Sequence, residues 1–528
     1  MNGIMLSLAF IMICLSLFGI IIFILDFKSR SIGIEIKQIR VIVILSIAIT
    51  FAGYICLVIS KHYSVDSFNL IFDMGPFWHL QLGRYTNCSF ILLADQLGIH
   101  QVLQQQFFGL LWIVSVVFII CIISIAMIGC IRVKNMQGAV LIVLAVSIAF
   151  VNVYMMELML FPEMFMVSII GKIALGLSIY FALSHEKVII RWCVSALYLV
   201  IALGNYQSYI GIYVSFVLIG IFLKWRDNIK YCYRESLLTL MIGGGVSVFN
   251  IVLVKLLIHK GIIVDSGRGA SFEVNNIKSN LIQLIKYQVR FWNNADGLLV
   301  KGIMPVVGMV LFALIVYMMW DKRMRKQWYC CLIMLLICYV LGFAAHIIES
   351  RIILTPRSNL AIWAVISITL ILLIVFYELK QDKRWGKLIL TVIIGLLGFN
   401  IMSMQDMASN TQMVNAIDFV ETEQICEKIK EYESRTGSQI CKIAIRNDVK
   451  VNVYPDIGRY RVGELGARIL ITPYSNYRLI GYKLGRSLEK VDMPESIYQN
   501  YFEGKDWNVM NLEEQMYFEN DVAYLMIY

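Results

Sequence analysis

Residues 107–131 read FFGLLWIVSVVFIICIISIAMIGCI, a run without a single Asp, Glu, Lys or Arg. As a helix rising 1.5 Å per residue it would be about 37 Å long, enough to cross a hydrocarbon core of about 30 Å. Comparable blocks lie on either side, at Ile4 to Leu25, Val41 to Ile59, Gly138 to Met156, Met164 to Ser184 and Val188 to Leu203. Further on come Ser208 to Leu223, Ser236 to Val254, Gly302 to Trp320, Trp328 to Ile348, Asn359 to Phe376 and Leu388 to Met404. The chain has 528 residues, of which 59% are hydrophobic and 16% charged, whereas an ordinary soluble chain is about a quarter charged. These features predict an all-α polytopic membrane protein with about 12 transmembrane helices in residues 1–404. The blocks starting at Val188 and Ser208 are short, so they fit a tilted or re-entrant pair as well as two full crossings. Ile4 to Leu25 has neither a basic n-region before it nor a small-residue cleavage site, and is expected to be a retained span.

The net charge of +10 is spread over short loops instead of gathered into one basic stripe, which argues against nucleic acid as a partner. Lys28, Arg30, Lys37 and Arg40 mark the first loop, Arg132 and Lys134 the third, and Lys187 and Arg191 the fifth. Lys and Arg recur on the same side around 224–234, 322–326 and 380–387. Short basic loops stay cytoplasmic. The loops 61–106, 155–163, 204–207, 259–301 and 347–358 then face outward, together with residues 405–528. That tail is charged, with a helical signal at Ile417 to Tyr432 and strand-like runs at Ile440 to Ile445 and Arg468 to Ile471, as in a small extracytoplasmic α/β domain. The 12 cysteines show no metal-binding spacing, and only Cys426 and Cys441 suit a disulfide.

The chemistry is expected in loop 61–106. Asp66 and Asp73 are seven residues apart, so on a helix they would share a face. A carboxylate there can take the proton of an attacking hydroxyl, and Asp66 is the candidate base; the same acids would also serve simply to solvate a loop. Trp78 offers a flat face for a sugar ring, although membrane interfaces recruit Trp for their own reasons. His79 is a second proton acceptor or an acceptor-binding group. Leu80 to Leu97 alternates apolar and polar residues as a segment lying flat on a bilayer does. A phosphorylated lipid needs cations, and Arg84, Arg290, Arg351 and Arg357 are available on the outer side. In Thr355-Pro356-Arg357-Ser358 a proline opens a helix beside the arginine, which makes an anion site, with headgroup snorkelling as the alternative. Lys172 is ionisable inside a span, a functional candidate by default. Glu163 follows Pro162 at a helix start, Glu157 sits in the same outer loop, and Tyr206-Gln207-Ser208 packs polar groups into a tight turn. No DxD, GxxxxGK[ST], HExxH or GxSxG occurs, so a nucleotide-sugar domain and an ATP-driven pump lack their anchors.

Tyr63-Ser64-Val65-Asp66-Ser67-Phe68 and Leu82-Gly83-Arg84-Tyr85 resemble the acidic motif and the following L-G-R-aromatic element of the bacterial GtrII-type glucosyltransferases, polytopic enzymes of the GT-C class. Phe161-Pro162-Glu163, Tyr206-Gln207-Ser208 and Pro356-Arg357 resemble that family's later elements in the same order, over roughly residues 60–360. The resemblance implies an inverting hexosyltransferase of the bacterial cytoplasmic membrane. It would move a sugar, by analogy glucose, from undecaprenyl phosphate to a surface polysaccharide or lipid-linked glycan at the outer face, with Asp66 as base. Ser67 stands where such families often place a second acid, which leaves a divalent metal, if one takes part, to Asp66 and Asp73. Two rivals share the topology: a flippase or transporter for lipid-linked glycans, whose polar groups should sit at mid-membrane, and a polysaccharide polymerase or ligase.

Overall fold

The computed structural model describes residues 2–29, 35–72, 75–133, 135–184, 188–226, 228–266, 276–319, 325–348, 352–380, 383–447, 465–505 and 510–527. In chain order the first helices are α1 (Asn2–Ser29), α2 (Ile36–Ile59), α3 (Ser67–Phe72), α4 (Phe77–Gln81), α5 (Tyr85–Gln96), α6 (Gln105–Ile131), α7 (Met136–Phe150), α8 (Val153–Met159) and α9 (Phe165–Ser184). There follow α10 (Val188–Asn205), α11 (Tyr209–Trp225), α12 (Ile229–His259), α13 (Ile277–Asn294), α14 (Ile303–Met319), α15 (Arg325–Leu341), α16 (Ala344–Ile348), α17 (Ala361–Lys380) and the long α18 (Lys383–Thr436). The remainder is β1 (Lys442–Asn447), α19 (Asn476–Leu484), β2 (Glu489–Lys490), α20 (Glu495–Tyr501), α21 (Leu512–Gln515), β3 (Met516–Glu519) and β4 (Val522–Ile527). The chain divides into two compact units, one of residues 1–59, 76–159 and 164–405, the other of 60–75, 160–163 and 406–528.

The first unit is a helical membrane body. Among the described residues seven helices are long and apolar enough to cross a bilayer, or eight if α7 and α8 count as one bent span. Four shorter apolar helices lie in α10, α11, α14 and α15. By length, then, seven or eight of the 12 expected crossings qualify. The block Gly138 to Met156 is not one straight helix: α7 and α8 meet at 55°. Asn152 makes the break, donating to the Ile148 carbonyl (2.9 Å) while its Oδ1 accepts the Tyr154 and Met155 amides (3.0 and 2.9 Å), a helix cap placed inside an apolar run. The block Trp328 to Ile348 is likewise divided between α15 and α16. Helix α6 packs along α9 and α2, α9 along α10, and α7 along α17.

Residues 80–97 do not lie flat on a surface along their length: in α5 every residue from Tyr85 to Leu92 is buried, against α1, α9 and α10, and full exposure returns only at Asp95. Arg191 is not a loop cation but is buried in α10 and ion-paired with the fully buried Glu235 of α12, to which the Trp192 indole also donates (3.2 Å). A charge taken out of water must be compensated in this way.

The second unit brings together three stretches assigned from the charge pattern to one side of the membrane. Its four-stranded sheet has the order β2-β1-β4-β3, with β1 parallel to both β2 and β4 and antiparallel β3–β4 closing a hairpin. The expected strand at Arg468 to Ile471 is absent, and Asp418 takes the Ile469 amide that a neighbouring strand would need. Its carboxylate accepts Arg468 Nε (2.8 Å) and the Ile469 amide (2.7 Å), and Glu421 accepts from the same guanidinium. Cys426 and Cys441 are both free thiols, and the buried Cys426 lies 3.7 Å from the Ile480 carbonyl.

Segment 60–75 is fastened within this unit by Asn415 of α18. Its side chain accepts the Tyr63 amide (2.7 Å) and donates to the Tyr63 carbonyl (3.0 Å), while Ser475 donates to the Val65 carbonyl. Tyr63 stacks on Phe68 (centroids 5.1 Å apart), and both rings meet Phe419. Asn415→Ala strands a buried amide and carbonyl and should lower stability by about 1–3 kcal/mol. Native-state hydrogen exchange should show residues 60–72 losing protection before the helices of the first unit; uniform loss would refute the role of this lock.

Candidate active site

Asp66 is half-buried and immediately precedes α3; Asp73 lies outside the described residues. Its carbonyl accepts the Asn69 and Leu70 amides (3.1 and 3.3 Å). The second acid of this site comes from the turn Pro162–Met164. Glu163 is buried at 3% exposure, and both of its oxygens are held by hydroxyls: Ser64 Oγ donates to Oε1 (2.6 Å) and Ser67 Oγ to Oε2 (2.9 Å). Ser64 Oγ also accepts the Asp66 amide (3.0 Å), and Ser67 Oγ accepts the Ser64 amide (2.9 Å). The Asp66 carboxylate is close enough for its charge to act on Glu163. Ser67, at the position where a second acid was looked for, is the hydroxyl that secures that acid from elsewhere in the chain. Beside Ser64 lies a cavity of about 30 Å³, lined by Tyr63, Phe161 and Asn415 among others, with room for a water. Among the described residues no three His, Cys, Asp or Glu side chains gather as a metal site would require.

The first unit carries a second polar cluster. Gly83, at φ +73°, ends α4 in a left-handed turn, and a Cβ there would run into Asn250 Oδ1. The turn is clasped from two sides, Gln207 Nε2 donating to the Leu82 carbonyl (2.7 Å) and Asn250 Nδ2 to the Gly83 carbonyl (2.9 Å). Arg84 then lies over the Tyr206 ring (5.2 Å to its centroid), so the L-G-R-Y and Y-Q-S elements form one structure. The charges of Arg357, Arg84 and Glu157 all act on the Tyr206 phenol.

The anion that the Pro356 turn calls for is internal. Glu157 of α8, fully buried, accepts the Arg357 amide (2.6 Å) through Oε2 and Arg357 Nη1 (2.9 Å) through Oε1. Arg290 pairs with Asp296 (3.3 Å) in a loop where Ala295, Asp296 and Gly297 all have positive φ, and Tyr287 donates to the Tyr154 hydroxyl (2.7 Å) near Asp296 and Glu157. Of these, Asp296, Tyr154 and Tyr287 carried no sequence signal beyond their loop or helix position. Lys172 finds a partner in the face of Trp112, 4.0 Å from the ring centroid, with Ser168's carbonyl at 3.4 Å. Trp78 remains exposed at 37%, and Arg351 lies outside the described residues.

These two clusters hold the sequence elements that carried the resemblance, and a model of the family described as glucosyl transferase GtrII matches residues 55–368. The chain belongs to the GtrII glucosyltransferase family. No curated protein and no solved structure matches it. As a GtrII member it is a membrane glycosyltransferase and requires a sugar donor and an acceptor. The matched region contains Asp66, Glu163, Arg84, Tyr206, Glu157 and Arg357, and it stops before α18 and the sheet of the second unit.

His79 is 4% exposed, and burial, then the neighbouring Arg84 charge, push its pKa down to about 3. The imidazole is therefore neutral at physiological pH and a poor proton acceptor. Since the folded pKa lies below the unfolded value of about 6.5, stability is lost as pH falls below about 6.5, by up to about 2 kcal/mol at pH 5. His79→Gln should flatten the dependence of Tm on pH between 7 and 5, and an unchanged slope would show that another group sets it.

The Glu157–Arg357 pair generates a sharper test. Arg357→Ala leaves a buried carboxylate without its cation and should cost about 3–5 kcal/mol, most of it recovered in the Glu157→Gln/Arg357→Ala double variant. Thermal unfolding in detergent measures both; equal stability of single and double variants would deny the coupling.

Proposed function

We propose that this GtrII member transfers a glucosyl group from a polyprenyl phosphate to a hydroxyl of a surface polysaccharide or lipid-linked glycan, with Asp66 as general base. The supporting observation is the pairing of a half-buried Asp66 with a buried Glu163 whose oxygens are both committed to Ser64 and Ser67. Asp66, half-buried beside it, is the acid assigned to take up a proton. The acceptor hydroxyl attacks the anomeric carbon as its proton passes to the Asp66 carboxylate. The bond from that carbon to the phosphate oxygen breaks, and the polyprenyl phosphate departs with the electron pair. A single displacement inverts the anomeric centre, as in the GT-C class. The departing phosphate dianion calls for a cation. The positive-inside pattern favours an active site on the extracytoplasmic face of a bacterial plasma membrane.

Purified protein with a synthetic short-chain polyprenyl-phosphate glucose provides the test. Asp66→Asn should lower kcat by about 10²–10⁴-fold with the Tm preserved. Ser67→Ala, which loosens Glu163 without touching Asp66, should give a smaller loss. Near-parental kcat in Asp66→Asn would remove Asp66 as the base.

A further inference from the structure

The second unit contains an open cleft of about 330 Å³ between Phe72 of α3 and the α19–β2 region, lined mostly by residues outside the family match, with Tyr477, Arg478, Ser487, Glu489 and Lys490 in its wall. Its composition is that of a carbohydrate subsite. Two half-buried aromatic rings, Phe72 and Tyr477, can cover the apolar face of a pyranose, and a guanidinium, an ammonium, a carboxylate and a hydroxyl stand around them to bond its hydroxyls. Its volume is at the lower end of the range for small-ligand sites. The wall is rigidly set: Arg478 donates through Nε to the Tyr477 hydroxyl (2.7 Å) and through Nη1 to the Asn69 carbonyl (3.0 Å), tying α19 to α3. Lys490 is held by the Pro473 carbonyl (2.9 Å).

We infer that this cleft binds a sugar of the acceptor glycan, next to the one whose hydroxyl reacts. This rests on the transferase reading above and adds to it a binding subsite for the acceptor. Helix α3 begins directly after Asp66 and ends at Phe72, six residues or about 9 Å along the axis. A pyranose on Phe72 is therefore too far along to present its own hydroxyl to Asp66, and is placed to anchor a neighbouring residue of the same chain. The acceptor is accordingly an oligosaccharide, not a single sugar. Residues 477–490 lie outside the region matched by the family model, as expected of a part that selects the acceptor rather than one that runs the shared chemistry.

The full-length protein in phosphatidylethanolamine–phosphatidylglycerol vesicles, supplied with short-chain polyprenyl-phosphate glucose, is assayed against lipid-linked oligosaccharides extracted from host membranes. Tyr477→Ala should raise the apparent acceptor KM about fivefold, the worth of one ring stack, with the donor KM moving less than twofold. Tyr477→Phe, which keeps the ring, should stay within about twofold of the parent. Transfer with an unchanged acceptor KM in Tyr477→Ala overturns the cleft and leaves the transferase reading standing. So does a rise in both KM values that phenylalanine does not mend. Absence of transfer by the parent protein overturns both.

Discussion

A carboxylate buried at 3% exposure must find its hydrogen bonds inside the protein, and Glu163 finds them on Ser64 and Ser67. Everything about the acid site follows from that requirement. The two serines flank Asp66, one of them also accepting the Asp66 amide, so the bonds that satisfy Glu163 also hold the backbone from which Asp66 projects. Asn415 and Ser475 fasten the preceding stretch at Tyr63 and Val65, and the Tyr63–Phe68 stack fills the space beneath. An acid presented by a short loop is thereby held in place without belonging to a long helix.

The same rule organises the first unit. Glu157 and Arg357, and Glu235 and Arg191, each pair a buried acid with a cation from another part of the chain, and the buried Asp296 pairs with Arg290 from the helix just before it. Lys172 instead lies against the Trp112 face, an apolar surface with a negative quadrupole. Polar residues that look like isolated anomalies along the sequence become partners in space. That also changes what Arg357 means: a helix start able to hold an anion is present, and the protein fills it with its own carboxylate.

Some of the misreadings share one cause. Alternation in Leu80 to Leu97 suggested an interface, yet α5 is enclosed by three helices and its polar residues Thr86, Asn87 and Ser89 are buried with it. Thr86 and Ser89 donate to the Ile201 and Tyr85 carbonyls (2.9 and 2.8 Å). The run at Arg468 to Ile471 reads as a strand by composition, but Asp418 takes its Ile469 amide. In both places a partner distant in sequence overrode a local pattern.

The sequence by itself determined the helical membrane body, the strand that became β1 and the family, because hydrocarbon length, period and short motifs are local properties of a chain. Only the tertiary structure decided that Glu163 stands with Asp66, that Ser67 holds it, that Arg84 meets Tyr206 and that Glu157 occupies the Arg357 turn. Those pairings are set by the cost of leaving a buried donor, acceptor or charge unmatched, and that cost can be assessed only once the chain is folded.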